Sequence, residues 1–289
     1  MSFYPQPNDY VCGPFALKNA FATLGIFADE KQISKLSGTR WWSGTDEIQL
    51  ARAAKKYNCS LNIVRRFHED EALYELKKFL RKGIPCLLCI EQWHHWVAVI
   101  KEQGGKFILM DSKDKSVLTI STWRKLRNEW VYYEPDDMDQ NAVQTIFDFH
   151  PVEPQFRVQT KAKFSVARAN HLRKPTNRDL ARHWDQYVAD LLYLCKPRTK
   201  LSSKVISLGE FFRRHEAMII DQIDLWHGSI DEKELRRMIR NLHFVADTYG
   251  LVIHHEDEKR AITGITAILT LWAAGKYGVG PIYSSNSKL

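Results

Sequence analysis

The sequence predicts an α+β fold over residues 1–150, followed by an all-α part that extends towards the end of the chain. Two observations carry this prediction. Apolar residues recur at helical spacing up to about residue 82, and the spacing then changes to the alternation typical of strands. After Pro151 and Pro154 the helical spacing returns and strand patterns end. Helices followed by consecutive strands are typical of α+β proteins.

Start and stop signals bound the predicted helices of the first part. Gly25 and Gly83 stand where C-cap glycines would end the first and the last of them. Thr45 is the predicted N-cap of the third, with acidic residues in the first turn. These helices are predicted over residues 12–24, 29–36, 45–58 and 69–82.

The alternating segments are predicted to form an antiparallel sheet. Gln103, Gly104 and Gly105 form the turn of one hairpin in this sheet. The strands are predicted over residues 61–64, 84–91, 96–101, 106–110, 117–120 and 142–149.

Three regions are predicted along the 289 residues, a length at which two domains can each bury a core. They are an α+β domain over 1–150, a basic linker over 151–176 and a helical domain over 177–289. The helices of the last region are predicted over residues 177–195, 208–225, 231–249 and 258–276.

The net charge of +8 is confined to one segment of the chain. Residues 1–154 hold 20 basic and 20 acidic side chains, and residues 205–289 hold 10 and 11. Residues 155–204 hold 12 basic and 3 acidic side chains, which form either a solvated helical face or a docking surface for an acidic partner. Nucleic acid is disfavoured because no binding motif is present. The candidate docking residues are Arg173, Lys174, Arg178 and Arg182.

No targeting segment is predicted. The start, MSFYPQPNDY, lacks the basic and apolar regions of a signal peptide, and the longest uncharged apolar stretch, 261–275, is too short to span a bilayer. The odd number of cysteines, five, favours free thiols in a cytoplasmic protein, with export by a non-classical route left open. Cys86 and Cys89 would point to opposite faces of a strand, so no metal or cofactor is predicted.

Cys12 is the residue that points most directly to chemistry. It stands at the start of a predicted helix, where unpaired N–H groups and the helix dipole stabilise a thiolate nucleophile. Gln6 lies six residues upstream, and its side-chain amide could donate to an oxyanion beside the Cys12 backbone N–H. The alternative for Cys12 is a buried structural thiol.

A base for Cys12 is predicted in the hairpin. His95 begins the strand HWVAVI and Asp111 ends ILMD, each eight residues from Gln103, so the two should face each other across the ladder. A carboxylate in that position orients an imidazole. His94 is the alternative base, and Asp111 could instead be a simple strand-end residue. Neighbouring side chains on a strand point to opposite faces, so only one of the two histidines can meet Cys12.

The blocks QPNDYVCGPFAL, HHWVAVI and ILMDS resemble those of papain-like cysteine peptidases of the bacteriocin-processing type, bacterial enzymes that cut leader peptides after a double glycine. The resemblance covers residues 1–150. It implies a papain-like fold with Gln6 as oxyanion donor, Cys12 as nucleophile, His95 as base and Asp111 as the residue that orients His95. Three features depart from the family: Ser112 follows Asp111 where proline is common, Phe15 replaces a small residue, and no GxxxxGK[ST] transporter motif is present.

These observations predict a cysteine hydrolase, a peptidase that cleaves a peptide or isopeptide bond in a peptide or protein through an acyl-enzyme on Cys12. Acyl transfer to an amine and side-chain deamidation would use the same residues. A non-catalytic binding module with a basic docking surface is the further alternative. Four tryptophans are candidates for lining a substrate groove, with core packing as the other interpretation. They are Trp41, Trp42, Trp93 and Trp96.

Overall fold

Two units make up the chain in the computed structural model, Met1–Ala189 and Asp190–Leu289. The structure describes residues 6–114, 116, 118–135, 143–196, 204–227 and 230–278. The helices of the first unit are α1 (Cys12–Thr23), α2 (Glu30–Ser37), α3 (Glu47–Lys56), α4 (Glu69–Arg81), α5 (Trp123–Trp130), α6 (Val166–Leu172) and α7 (Arg178–Arg182). Its strands are β1 (Cys59–Leu61), β2 (Val64–Arg66), β3 (Cys86–Ile90), β4 (His95–Gln103), β5 (Lys106–Met110), β6 (Thr119–Thr122), β7 (Tyr132–Pro135) and β8 (Val143–Pro154).

Eight strands in the described residues form one antiparallel sheet. The main path runs in the order β1-β8-β3-β4-β5-β6, and β2 and β7 pair with other stretches of β8. Helices α4 and α5 pack on this sheet around a core that includes Leu76, Phe107 and Trp130, and α1 packs along β4. The predicted α+β class, with N-terminal helices and an antiparallel sheet, is confirmed.

Strand β8 continues through the prolines that the sequence analysis takes as a boundary. Pro151 pairs with Cys86 of β3, and Val152 N–H donates to Pro85 O. A proline can lie in a strand where its missing N–H is not needed for pairing. The sheet therefore extends to Pro154, beyond the predicted strand end at residue 149.

Residues 155–189 belong to the first of the two units, whereas the sequence predicts a linker over 151–176 and a helical domain from residue 177. Val166 N–H donates to the side chain of Gln103 at 3.0 Å, and the Arg173 guanidinium donates to Leu118 O at 3.1 Å. Helix α6 lies inside the segment 151–176 that the sequence predicts to be a linker.

Helix α5 is absent from the predicted elements because its sequence, WRKLRNEW, is short and strongly charged. Only Leu126 and Trp130 of this helix are fully buried, while Thr122 caps its first turn. The start of α3 also differs: Asp46 is the N-cap and forms a capping box with Gln49, whereas Thr45 is buried.

The second unit is helical, as predicted, with one addition. Strands β9 (Val205–Ser207) and β10 (Val252–His254) form a two-stranded antiparallel sheet. None of the helices in the described part of the chain is long and apolar enough to cross a membrane. The helices of the second unit are α9 (Leu208–His227), α10 (Glu232–Tyr249) and α11 (Glu258–Tyr277). The boundary between the two units falls within α8 (Trp184–Cys195).

Candidate active site

Helix α1 begins at Cys12, directly after a 3-10 turn over Asp9–Val11. No side chain caps this helix: Val11 occupies the N-cap and makes no side-chain hydrogen bond to the first turn. The N–H groups at the start of α1 and the positive end of its dipole are therefore left for the Cys12 sulfur and for a ligand beside it. The Cys12 side chain is buried, with 5% of its surface exposed.

Gly13 fits closely against the residues below the start of α1. A Cβ at this position would lie 3.3 Å from side-chain atoms of Leu50, Thr45 and Trp96. Trp96 is itself fixed, since its Nε1–H donates to Thr45 O at 2.9 Å. The absence of a side chain at Gly13 therefore lets Cys12 approach the sheet at the start of β4.

His95 and Asp111 form the pair that the sequence predicts. His95 is fully buried and its Nε2–H donates to Asp111 Oδ1 at 2.6 Å. The same oxygen accepts the Lys113 backbone N–H at 2.9 Å. This carboxylate fixes the orientation of the imidazole ring.

Burial alone would lower the pKa of His95. Hydrogen bonds to Asp111 and to Cys12, together with the charges of these groups, outweigh burial and raise the pKa of His95 to about 9. Burial alone would raise the pKa of Asp111, but the hydrogen bond and charge of His95 and the Lys113 N–H hold that pKa below its ordinary value. The pair is therefore an imidazolium and a carboxylate at neutral pH.

The other ring nitrogen of His95, Nδ1, faces Cys12. It is buried and makes no hydrogen bond of normal geometry in the described part of the chain. Because Nε2 is occupied by Asp111 and Cys12 interacts with the ring, Nδ1 is the nitrogen available to exchange a proton with the Cys12 sulfur.

A strained turn places His95 at the start of β4. Glu91, Gln92 and Trp93 all have φ between 55° and 64°, a left-handed conformation that is uncommon for residues other than glycine. The Gln92 side chain donates to Val131 O at 2.9 Å and anchors the turn. His94 lies at the surface, where its Nδ1 contacts Glu91 O at 2.8 Å. Of the two histidines, only His95 is directed into the site.

The register of the hairpin differs from the predicted one by two residues. Ala98 pairs with Met110, so continuing the ladder by one residue would place Asp111 opposite Val97, where the prediction puts it opposite His95. Without the bulge between Val99 and Lys101 the difference would be three residues, because Asp111 would then lie opposite Ala98. His95 is two residues from Val97 on the same face, so it meets Asp111 diagonally.

Gln6 is held by two hydrogen bonds to Ser112. Its backbone N–H donates to Ser112 O at 3.2 Å, and Ser112 Oγ donates to Gln6 Oε1 at 2.5 Å. Gln6 Nε2 is buried and has no hydrogen-bond partner in the described residues. An unpaired buried donor costs about 1–3 kcal/mol, so a site that retains one is suited to a ligand with an oxygen acceptor.

Ser112 and Cys89 are site residues that the sequence analysis does not identify as functional. The only signal for Ser112 is its position next to Asp111. Cys89 pairs with Trp96 across the ladder and lies beside the catalytic candidates. Burial, followed by the charge of Cys12, raises the pKa of Cys89 well above its ordinary value, so this thiol stays protonated.

The four tryptophans have different surroundings. Trp41 and Trp42 are exposed and pack edge to face on each other. Trp93 stacks on Tyr132 with a centroid distance of 3.7 Å, whereas Trp96 is buried. Trp96 lies next to the start of α1, since a Cβ at Gly13 would be 3.3 Å from its Cδ1.

The predicted docking residues Arg173, Lys174, Arg178 and Arg182 are exposed. Their role in binding an acidic partner stays a prediction. Among the described residues, no group of three or more His, Cys, Asp or Glu side chains is placed to hold a metal ion.

The raised pKa of His95 predicts how stability depends on pH. The folded state holds a proton on His95 up to about pH 9, while the unfolded state releases it near pH 6.5. This contribution to stability is therefore complete below pH 6.5 and is lost as pH rises through 9, a loss of roughly 3 kcal/mol. Urea unfolding at pH 6.5, 7.5 and 9 should show a falling free energy, and Asp111→Asn should flatten the fall.

Asp70→Asn is the matched control, because Asp70 is an exposed residue of α4 away from the site. It should keep the pH dependence of the wild type. Equal slopes in the wild type and Asp111→Asn would contradict a charged His95–Asp111 pair.

Comparison with known proteins gives a partial likeness to solved peptidase domains. No protein-family model and no curated protein matches the chain. The peptidase domain of Streptococcus ComA, a bifunctional ABC transporter involved in quorum sensing, is 19% identical; the match covers 53% of this chain and 100% of that domain, with a TM-score of 0.37. A double-glycine motif protease from an AMS/PCAT transporter, solved with its leader peptide, is 16% identical over 51% of this chain and 89% of its own, with a TM-score of 0.37.

The peptidase domain of Streptococcus mutans ComA is 17% identical over 51% of this chain and 98% of its own, with a TM-score of 0.31. Each of these matches, over about half of this chain, is to a peptidase domain of the type that the sequence resembles.

Proposed function

We propose that the protein is a cysteine hydrolase, and specifically a peptidase that forms an acyl-enzyme on Cys12. The observation that carries this proposal is the buried His95–Asp111 pair, whose free Nδ1 is available to a cysteine at the start of a helix. A nucleophile, a base and a group that orients the base are the three parts that such a mechanism requires.

In the first half of the reaction, the Cys12 sulfur attacks the carbonyl carbon of the substrate while the proton shared with His95 stays on Nδ1 of the imidazolium. The carbonyl oxygen becomes an oxyanion that accepts hydrogen bonds from Gln6 Nε2 and the Cys12 backbone N–H. As the C–N bond breaks, His95 gives its proton to the leaving amine, and a thioester on Cys12 remains.

In the second half, water gives a proton to His95 and attacks the thioester carbonyl. The C–S bond then breaks, the carboxylic acid product leaves, and the proton from water stays on His95, which restores the starting imidazolium. Asp111 holds the ring so that Nδ1 faces the reacting atoms throughout, and it stabilises the imidazolium.

Two buried atoms favour catalysis over a purely structural or binding role for this site. Both atoms are buried: Gln6 Nε2 has no hydrogen-bond partner in the described residues, and His95 Nδ1 meets only the Cys12 sulfur, without the geometry of a normal hydrogen bond. Each would lower the stability of a site that served only to pack the fold. The proposed mechanism uses both atoms, one for the proton and one for the oxyanion.

A peptide library derived from a whole proteome tests this function, with lysine added as an acceptor amine and products read by mass spectrometry. Hydrolysis gives new peptide termini that are absent with Cys12→Ala, and this is the expected result. Products that carry lysine at the cut would assign acyl transfer instead, and a mass gain of about one dalton on glutamine or asparagine would assign deamidation. No product that depends on Cys12 would overturn the proposal.

A further inference from the structure

A cavity of about 220 Å³ opens between the start of α3, strand β2, the turn before β4 and strand β8. It is large enough to hold one long side chain. Two of the tryptophans predicted to line a substrate groove, Trp93 and Trp96, form part of its wall.

The cavity lies beside Cys12. Its wall includes Cys89 and Trp96. Trp96 is a residue against which Gly13 packs. The pKa of Cys89 is raised mainly by burial and secondly by the charge of Cys12, so Cys89 lies close to Cys12. A chain bound across Cys12 could therefore direct a neighbouring side chain into the cavity.

Carboxylates outnumber basic groups in the lining, and one of them, Glu47, is linked to Arg65 only by a weak interaction of charges. Arg65 donates two hydrogen bonds to Asp148, at 2.8 and 2.6 Å, so its charge is largely neutralised by that carboxylate. Asp46 accepts the Gln49 N–H as the cap of α3. Glu47 is exposed at the cavity and forms no hydrogen bond or ion pair within the described residues.

His150 adds a polar group without adding charge. Only 3% of its surface is exposed, its ring packs on Trp96, and it has no hydrogen-bond partner in the part of the chain that the structure describes. Burial, reinforced by the charge of Arg65 and opposed by that of Asp148, lowers the pKa of His150 to about 4, so the ring is neutral at pH 7. A buried imidazole without a partner that lines a cavity is an independent sign of a ligand site.

The rest of the wall is apolar. Ile63, Trp93 and Trp96 form surfaces against which methylene groups can pack. An apolar wall together with an unpaired carboxylate complements a side chain that has an aliphatic stem and a cationic end. An acidic side chain would meet Glu47, and a purely apolar one would leave Glu47 and His150 without a partner.

We propose that this cavity is a substrate subsite for a lysine or arginine side chain, with Glu47 as the residue that selects the positive charge. The proposal rests on the proposed cysteine hydrolase, because it assigns a specificity to the peptide that Cys12 attacks.

Two alkylating probes test the subsite: N-(5-aminopentyl)chloroacetamide and its neutral counterpart of equal length, N-hexylchloroacetamide. The Cys12 sulfur attacks the CH₂ group, a C–S bond forms, the C–Cl bond breaks and chloride leaves. The rate at Cys12 is measured by mass spectrometry and divided by the rate of each probe with glutathione. We expect the cationic probe to react about tenfold faster than the neutral one in the wild type, and at nearly equal rate in Glu47→Gln.

Glu71→Gln is the matched control, since Glu71 is also an exposed glutamate in the first turn of a helix, α4, away from the cavity. It should keep the wild-type preference. Two results would overturn the subsite and leave the hydrolase in place, provided that Cys12 is labelled rapidly and that this labelling needs His95. One is equal labelling by the two probes, and the other is a preference for the cationic probe that Glu47→Gln does not change. Labelling no faster than glutathione with both probes, unchanged in His95→Ala, would overturn the proposed function itself.

Discussion

Cys12→Ala is expected to reduce cleavage of the library peptides by at least about 10⁴-fold, because no other group can replace the nucleophile. Cys89, the neighbouring thiol, stays protonated because burial raises its pKa. His95→Ala should cost a similar factor, and the double variant should be little worse than either single variant, since the two residues act as one unit. Initial rates on one cleaved library peptide measure these effects.

Cys59→Ala is the matched control for the loss of a thiol. Cys59 is buried in β1, at 1% exposure, and lies outside the site. This variant should keep full activity wherever it remains folded, as judged by circular dichroism. Activity retained in folded Cys12→Ala above about one per cent of the wild type would contradict the assignment of the nucleophile.

Gln6→Ala is expected to lower kcat by about 10²–10³-fold with little change in KM, because the oxyanion develops only in the transition state. Ser112→Ala should lower kcat by a smaller factor, about tenfold, because Ser112 acts through Gln6 by fixing the side-chain amide. In the Gln6→Ala background, Ser112→Ala should have no further effect on kcat.

Ser121→Ala controls for the removal of a buried hydroxyl. Ser112 and Ser121 are both 2% exposed, but the Ser121 hydroxyl bonds to Thr122 O, outside the site. It should leave kcat unchanged. Additive losses in Gln6→Ala/Ser112→Ala would show that Ser112 does not act through Gln6, and a change in KM alone for Gln6→Ala would contradict the role in the transition state.

The first four helices, α1 to α4, were predictable because their signals are local. Apolar spacing and the glycines after α1 and α4 bring each predicted end within about two residues of the observed one. The meeting of His95 and Asp111 was also predictable in outline, because a tight hairpin brings the outer ends of two strands together.

The details of the hairpin were not predictable, because they depend on a bulge. The turn pairs Gln103 with Lys106, and that register alone would place Asp111 opposite Ala98, with His95 on the other face. One extra residue between Val99 and Lys101 returns His95 to the face of Asp111. No residue pattern in the strand indicates this bulge.

Contacts between distant residues were likewise beyond the sequence analysis. Ser112 lies 106 residues from Gln6, and no spacing rule relates a hydroxyl to an amide so far away. The same holds for the segment after β8, whose packing against the N-terminal helices depends on contacts such as the close approach of Thr160 to Gly25. Composition marks this segment as basic but does not show what it contacts.

The most direct measurement of the central claim is the pH dependence of Cys12 alkylation by iodoacetamide, followed by mass spectrometry in the wild type and in His95→Ala. The wild type should be labelled well below pH 8, and at pH 6 at least about ten times faster than glutathione, whose thiol ionises near its ordinary range. His95→Ala should slow labelling and move it to higher pH. A wild-type profile that follows glutathione at every pH, and that His95→Ala leaves unchanged, would contradict a catalytic Cys12–His95 pair.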